Sequence, residues 1–374
     1  MRWLTILLAL INRIRALTKL FSARNAQKIT SNLLMVILCC AVSASAPALE
    51  SDPLAGLKQF SDFSKIDIKR LLEGAILSER GPLMAFPNGI SSQLCFAVPS
   101  SPAETVKHLQ TWDPKRCGSL KVYASHRLND PCELKEFSSL SLDLDPAKRP
   151  IKWFLDKTLA TSDKSSELNL SQIEAHELAG CLSKDASPKS VGSCWASVLF
   201  ARASSFQRNG FASMFPYEFD VESITPVLHL RSMLKEQVRV TPEFAILLQR
   251  SGLVNVASGF APLRPSQYYW RLFDADHHAT LSLGAVYVLE VGDRYQVLEV
   301  EYYVSGTYYT TATLYEVWPI NYGGKTGSLV WSNVLCSAPA LRYAAGIERL
   351  ASGVILILEF KKMVSCFQNS FKTP

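Results

Sequence analysis

The first 48 residues contain no aspartate or glutamate, although they hold six basic residues. They end in an apolar run, residues 33–42, which is followed by the small residues 43–46. A basic stretch, an apolar stretch and a small-residue cluster in this order are typical of a secretory signal peptide. The segment therefore predicts export to the periplasm or the extracellular space, with cleavage between Ala44 and Leu49.

This leader also lacks a long apolar run. Its two runs, 3–11 and 33–42, are shorter than the about 20 residues that a membrane-spanning helix needs. Pro47 disfavours cleavage directly after Ala46, so an uncleaved N-terminal anchor is the alternative. An organelle transit peptide is a third interpretation. We expect any contact with a membrane to be made only through this segment.

Behind the leader the chain has no excess of positive charge. Of 39 Lys and Arg, six lie in the leader, and 39 − 6 leaves 33 basic residues against 33 Asp and Glu. The remaining chain is neutral and has no cluster of Lys and Arg, which removes the electrostatic basis of nucleic-acid binding. Repeats and low-complexity tracts are absent, and 48% hydrophobic residues suffice for a packed core.

Cysteine pairs with CxxC spacing are absent as well. Seven cysteines follow residue 48, so at least one is free or intermolecular. The spacing allows two short disulfide loops: Cys117–Cys132 and Cys181–Cys194. Cys95 and Cys366 lie in apolar segments and are expected to act as buried hydrophobic residues. We predict no cofactor.

The chain then changes pattern several times. A lead-in with one helix occupies 49–85, and a strand, a helix and a second strand occupy 86–128. Three Ser-Pro or Thr-Pro helix starts within 129–265 predict a helical insertion. In 266–374, Tyr-, Val- and Thr-rich segments with short turns predict an antiparallel sheet. An apolar stripe from Pro339 to Phe371 predicts a long C-terminal helix.

This order of elements resembles that of START-like domains, in which an antiparallel sheet grips a long C-terminal helix. The strand Ser91–Val98, the helix opening at Pro102 and the closing strands and helix carry the resemblance. The chain also resembles exported bacterial proteins without an assigned function. The START-like resemblance implies an α+β fold with a cavity between sheet and helix for lipids, sterols or other apolar ligands. The helical insertion departs from that pattern.

On this basis we expect non-catalytic binding of an apolar or amphipathic small molecule or lipid. Six residues are expected to line the cavity, the last two as its lid: Trp270, Tyr287, Tyr302, Trp331, Ile347 and Val354. The alternative is that the same residues fill a solid core, as in a structural envelope protein without a ligand.

One segment, Gly192 to Ala196, resembles the nucleophile segment of papain-like cysteine proteases and would make Cys194 a hydrolase nucleophile. Val191 and Pro188 replace the family's preceding Cys and its oxyanion Gln. The catalytic His is expected ~130–150 residues downstream, where this chain has none. We therefore predict no catalytic residue and favour a protein that is not an enzyme.

Two groups of polar residues are candidate sites. Four residues at a predicted turn could ligate a metal: Asp274, Asp276, His277 and His278. Their place between two strands favours a polar hairpin tip, so no metal site is predicted. Glu299 and Glu301 share one face of a predicted strand, where paired carboxylates could do acid–base work. We expect that face to be solvated.

Overall fold

The computed structural model describes residues 52–142, 149–161, 166–183, 186–220, 222–254 and 261–371. The predicted leader, 1–48, lies outside them. The helices are α1 (Pro53–Phe60), α2 (Ile68–Leu72), α3 (Pro102–Thr111), α4 (Arg149–Leu159), α5 (Gln172–Cys181), α6 (Pro188–Asn209), α7 (Pro226–Glu236), α8 (Val240–Glu243), α9 (Ala245–Arg250) and α10 (Ile347–Ser370). The strands are β1 (Leu77–Arg80), β2 (Gly89–Val98), β3 (Val122–Leu128), β4 (Tyr217–Glu218), β5 (Ser223–Ile224), β6 (Gln267–Ala275), β7 (His278–Val291), β8 (Arg294–Val304), β9 (Thr310–Tyr322) and β10 (Lys325–Ser337).

Eight of these strands form one antiparallel sheet in the order β1-β2-β10-β9-β8-β7-β6-β3. The five strands β6 to β10 follow one another through short turns, whereas β2 pairs with β10 from the far end of the chain. This sheet, with the helices around it, confirms the predicted α+β class. The small pair β4–β5 lies apart from it.

Period-two alternation divides the side chains of the sheet between two faces. The grip face, on the side of α3 and α10, carries one apolar cluster whose strand residues include Phe96, Val297 and Val330. The insertion face carries the larger cluster, which includes Trp270, Leu298 and Trp331. Both faces are therefore covered, which explains why the strands are apolar on both sides rather than on one.

The helical insertion covers the insertion face, and an arginine of a buried ion pair within the insertion contacts a tyrosine ring of the sheet. Arg202 on α6 donates to both carboxylate oxygens of Glu174 on α5 at 2.5 Å. The guanidinium carbon of Arg202 lies 4.1 Å from the ring centre of Tyr303 on β8. An unpaired buried charge is costly, so Glu174 holds Arg202 in place. Arg202 in turn stays on the ring of Tyr303.

A second polar connection lies at the opposite end of the insertion face. Glu316 on β9 is fully buried, accepts a hydrogen bond from Gln296 at 3.0 Å and forms an ion pair with Arg294 at 3.0 Å. Arg294 also binds Glu243 on α8 at 3.0 Å. Burial outweighs the attraction of Arg294 and raises the pKa of the Glu316 carboxyl to about 8.

Helix α10 lies along the grip face at the β1–β2 edge and begins later than predicted. A short 3₁₀ turn at Pro339–Leu341 precedes it, and Gly346, at a φ of 52°, ends the irregular connection before Ile347. The C-terminal half of the helix is the better buried, with Val364 and Phe367 in the grip-face cluster. Within the described ranges, none of the helices has the length and apolar content that crossing a membrane requires.

Two disulfides are formed among the residues that the structure describes, and only one of them was predicted. Cys181 pairs with Cys194, as the spacing allowed. Cys117 pairs with Cys366 on α10 and not with Cys132. The prediction of a buried Cys366 thiol was therefore wrong, whereas Cys95 is a buried thiol. The error has a physical cause, since the sheet topology brings the loop after α3 next to the last helix.

Candidate functional site

The four aromatic residues expected to line a cavity all lie on the insertion face. Tyr302 stacks on Phe206 of α6 with 3.8 Å between ring centres, and Tyr287 packs 5.9 Å from Phe211. All of these rings are buried. The helical insertion, which the resemblance did not anticipate, occupies the space above Tyr287 and Tyr302.

The two tryptophans are also held by polar contacts of the core. The indole N–H of Trp270 donates to the carbonyl of Glu136 at 3.1 Å. That of Trp331 donates to the side-chain oxygen of Gln93 at 3.3 Å. Phe60 of α1 contacts the Trp331 ring edge to face at 4.9 Å. Both side chains therefore have their hydrogen-bond needs met inside the protein.

The two expected lid residues lie on the other side of the sheet. Ile347 is 50% exposed and Val354 is 48% exposed, because they lie on the outer surface of α10. Gly353 is the residue that meets the sheet there, beside Arg80 and Ile90. The structure thus separates the six residues into a buried group and an exposed pair, and they do not line one cavity.

Cys194 has no free thiol in this structure. Its sulfur is bonded to that of Cys181, and the residue lies buried inside α6, which begins at Pro188. A nucleophilic cysteine needs an accessible thiolate, preferably at a helix N-terminus. The oxidised protein therefore offers no cysteine-hydrolase site at this residue.

The acidic and histidine residues near the β6–β7 turn are engaged in other contacts. Asp274 binds Lys121 at 3.1 Å, and the ring of His278 packs 4.3 Å from that of Trp153. Asp276 and His277 form the tip, both at positive φ. Among the residues that the structure describes, no group of three possible metal ligands comes together.

A polar cluster that the sequence reasoning missed lies on the grip face. The ring of Tyr269 on β6 crosses β7 above Gly284, and its hydroxyl donates to Glu299 on β8 at 2.7 Å. The guanidinium carbon of Arg271 lies 3.9 Å from the centre of the Tyr269 ring. Arg271 also donates to Glu299 at 3.3 Å. Three neighbouring strands thus build one contact.

Glu299 is the centre of this cluster. Besides Tyr269 and Arg271 it accepts from the hydroxyl of Tyr315 on β9 at 3.3 Å. Burial raises the pKa of Tyr269 and of Tyr315 well above the usual range, and the Glu299 carboxylate adds to both effects. Both phenols therefore remain protonated and act as donors to the carboxylate.

Glu301 forms a second, more enclosed group two residues along β8. It is 9% exposed and accepts from the hydroxyls of Tyr308 at 2.6 Å and Thr311 at 3.1 Å. The expectation that Glu299 and Glu301 lie on a solvated face is therefore wrong, because α3, α10 and the β8–β9 connection cover much of the grip face.

A cavity of about 330 Å³ opens between α3 and this cluster. Tyr269, Arg271 and Glu299 form part of its polar wall, and residues of α3 and of the segment after it close it from above. Its other lining residues are Leu109, Gln110, Trp112, Asp113, Pro114, Ser125, His126, Arg127, Gln267 and Val286.

The sequence does contain one signal for this site. Gly284 stands inside a strand whose other residues suit a packed sheet, and a strand-interior glycine marks a close approach of another group. A Cβ atom at this position would lie 2.1 Å from Cζ of Tyr269. The alternation that places Glu299, Tyr269 and Arg271 on one face also follows from the sequence once the strand register is known.

No family model, no curated protein and no solved structure matches this chain.

Proposed function

We propose that the chain is a non-catalytic binding protein that holds a small amphipathic molecule in the cavity between α3 and the grip face. The observation that carries the proposal is the contact of Tyr269, Arg271 and Glu299 at the cavity wall. Charged groups at this depth are costly unless they are paired, and they concentrate at functional sites. The START-like resemblance implies a ligand between the sheet and the C-terminal helix, which covers the same face, whereas this cavity lies under α3.

The walls of the cavity suit a molecule with two kinds of surface. Leu109 from α3, Trp112 directly after it and Val286 from β7 supply apolar contacts. The strand side also presents the polar cluster. Ligand cavities commonly measure ~300–1,000 Å³, and about 330 Å³ is at the low end of that range. A compact molecule fits this volume better than a lipid with two long chains.

We also propose that this function is performed outside the cytoplasm. The acid-free leader supports export, and disulfides such as Cys117–Cys366 and Cys181–Cys194 persist in oxidising compartments. N-terminal sequencing of the protein recovered from its natural compartment tests this. We expect a first residue between Ser45 and Leu49, and a full-length product in the cytoplasm would contradict export.

Native mass spectrometry of the gently purified protein tests binding. We expect a small adduct in a one-to-one complex. Gln267→Trp, which fills the cavity from the start of β6, should abolish the adduct. Gln172→Trp, at an exposed position at the start of α5, is the matched control and should retain it.

The alternative outcome is a structural protein without a ligand. A binding assay with the fluorophore 8-anilinonaphthalene-1-sulfonate separates the two cases when no adduct survives purification. Saturable one-to-one binding that Gln267→Trp removes supports the cavity. No adduct, together with fluorophore binding that is absent or equal in both variants, would reject the proposal.

A further inference from the structure

Resting on the binding function proposed above, we infer that the cavity recognises an anionic head group, a carboxylate, through the guanidinium of Arg271. Protein partners already use the hydrogen-bond acceptors of the cavity wall, whereas several of its donors are unused.

Arg271 has donors to spare. A guanidinium carries five N–H groups in a rigid planar fork. One of them binds Glu299 at 3.3 Å, and the other four have no hydrogen-bond partner among the described residues. The side chain is only 26% exposed and lines the cavity. The contact of its guanidinium carbon with the Tyr269 ring, 3.9 Å from the ring centre, restricts where the fork can lie.

A second guanidinium lies on the same face. Arg127 on β3 is paired in register with Tyr269 on β6, and directly opposed residues of neighbouring strands share a face. Arg127 donates to the carbonyl of Thr111 at the end of α3, which places it at the cavity rim. It retains further donors, since only one N–H is used.

The carboxylates of the cavity are already occupied. Glu299 accepts from three donors of the sheet: Tyr269, Arg271 and Tyr315. Asp113 accepts from the hydroxyl of Ser125 at 3.0 Å and from the backbone of Lys115 at 3.1 Å. The unused hydrogen-bonding capacity of the wall is therefore mostly donor capacity. A ligand that supplies acceptors complements it, and a carboxylate matches the fork of an arginine with two parallel hydrogen bonds.

The apolar wall defines the rest of the molecule. Leu109, Trp112 and Val286 also line the cavity and would contact an aryl or short alkyl group. We therefore infer a compact aryl or short-chain carboxylic acid as the ligand class.

The test uses three probes that differ only in the head group: 3-phenylpropionate, 3-phenylpropanamide and 3-phenylpropylamine. Isothermal titration of the oxidised, leader-free protein should give about tenfold tighter binding of the carboxylate than of the amide. Arg271→Met should weaken carboxylate binding more than amide binding, so that the preference for the carboxylate is lost. Arg271→Lys should restore part of it, because lysine keeps the charge and loses the fork.

Arg127→Met is the second variant, since its exposed side chain can be removed without disturbing the core. It should weaken carboxylate binding less than Arg271→Met does. Equal binding of carboxylate and amide, or tighter binding of the amine, would overturn the anion assignment and leave the proposed binding function standing. Binding of none of the three, with no adduct in native mass spectrometry, would reject both.

Discussion

The ring of Tyr269 occupies the space above Gly284 where any other residue would place its Cβ atom. This contact joins β6 to β8 across β7, since the Tyr269 hydroxyl reaches Glu299 only by passing over the glycine. The polar cluster of the grip face therefore requires glycine at position 284, since the methyl group of an alanine there would overlap the Tyr269 ring.

Gly284→Ala should displace the Tyr269 ring and break its hydrogen bond to Glu299. Overpacking of this kind costs about 1–3 kcal/mol, and we expect a loss of unfolding free energy in that range. Urea unfolding measures it. Gly306→Ala is the matched control, because a Cβ atom there would meet only ordinary contacts at 3.8 and 3.9 Å. An unchanged unfolding midpoint for Gly284→Ala would show that the ring can move at no cost.

The two halves of α10 should respond differently to substitution. Phe367→Ala removes a buried ring that packs against Phe96 and Trp112, and such a change costs about 3–5 kcal/mol. Val354→Asp should change stability by less than about 0.5 kcal/mol, because the side chain is half exposed. Thermal melting of the two variants decides the matter, and a larger loss for Val354→Asp would place the N-terminal half of the helix in the core.

The two disulfides should differ in their contribution to stability. In the chain-entropy model, a disulfide that closes a longer loop stabilises the folded protein more. The sequence separation is 249 residues for Cys117–Cys366 and 13 for Cys181–Cys194. Replacing the first pair by serine should cost on the order of 5 kcal/mol, and replacing the second about 3 kcal/mol.

Urea unfolding of the two double variants tests this order. Thiol titration of the denatured, unreduced, leader-free protein is the control, and it should count the three free cysteines Cys95, Cys132 and Cys336. Equal losses would show that the long loop is already restricted in the unfolded chain.

Glu316 should make stability decrease as the pH rises from about 4.5 to about 8. Burial raises its pKa from 4.5 to about 8, so that the folded chain binds this proton more tightly than the unfolded chain does. The contribution is complete below about pH 4.5 and is lost as the pH rises through about 8, with a slope of at most about 1.4 kcal/mol per pH unit.

Glu316→Gln should flatten this part of the stability profile, measured by urea unfolding between pH 5 and pH 9. Glu359→Gln, which changes an exposed carboxylate of α10, should leave the profile as it is. If the stability profile of Glu316→Gln keeps its slope, another group causes the loss of stability between about pH 4.5 and pH 8.

Much of the fold was predictable from the sequence because it rests on local patterns. The strands β6 to β10 have period-two alternation and short turns, and α3 has Ser101 as its N-cap with Pro102 after it. These features act over a few residues. The pairing of Cys117 with Cys366 does not follow from such a local pattern. It depends on where the chain returns after more than two hundred residues.

The site was harder to predict than the fold. Trp270 and Trp331 are large and apolar, and the sequence does not say which side of the sheet an insertion will cover. Glu299 looked solvated because neither its cover, α3, nor its partners, Tyr269 and Arg271, are neighbours in sequence. Only the strand register brings these groups together.

The pairing of β2 with β10 has a consequence for how the chain folds. Cys95 and Trp331 are directly opposed on these two strands, yet the whole helical insertion and the seven strands β3 to β9 lie between them in sequence. Closing so long a loop is entropically unfavourable, and folds dominated by distant pairings form slowly. During synthesis the insertion emerges before β6 to β10, so its apolar surface stays uncovered until the strands on which it packs are made. The nascent chain is thus kept from reaching its native state until it is almost complete, and it is exposed to aggregation over that whole period.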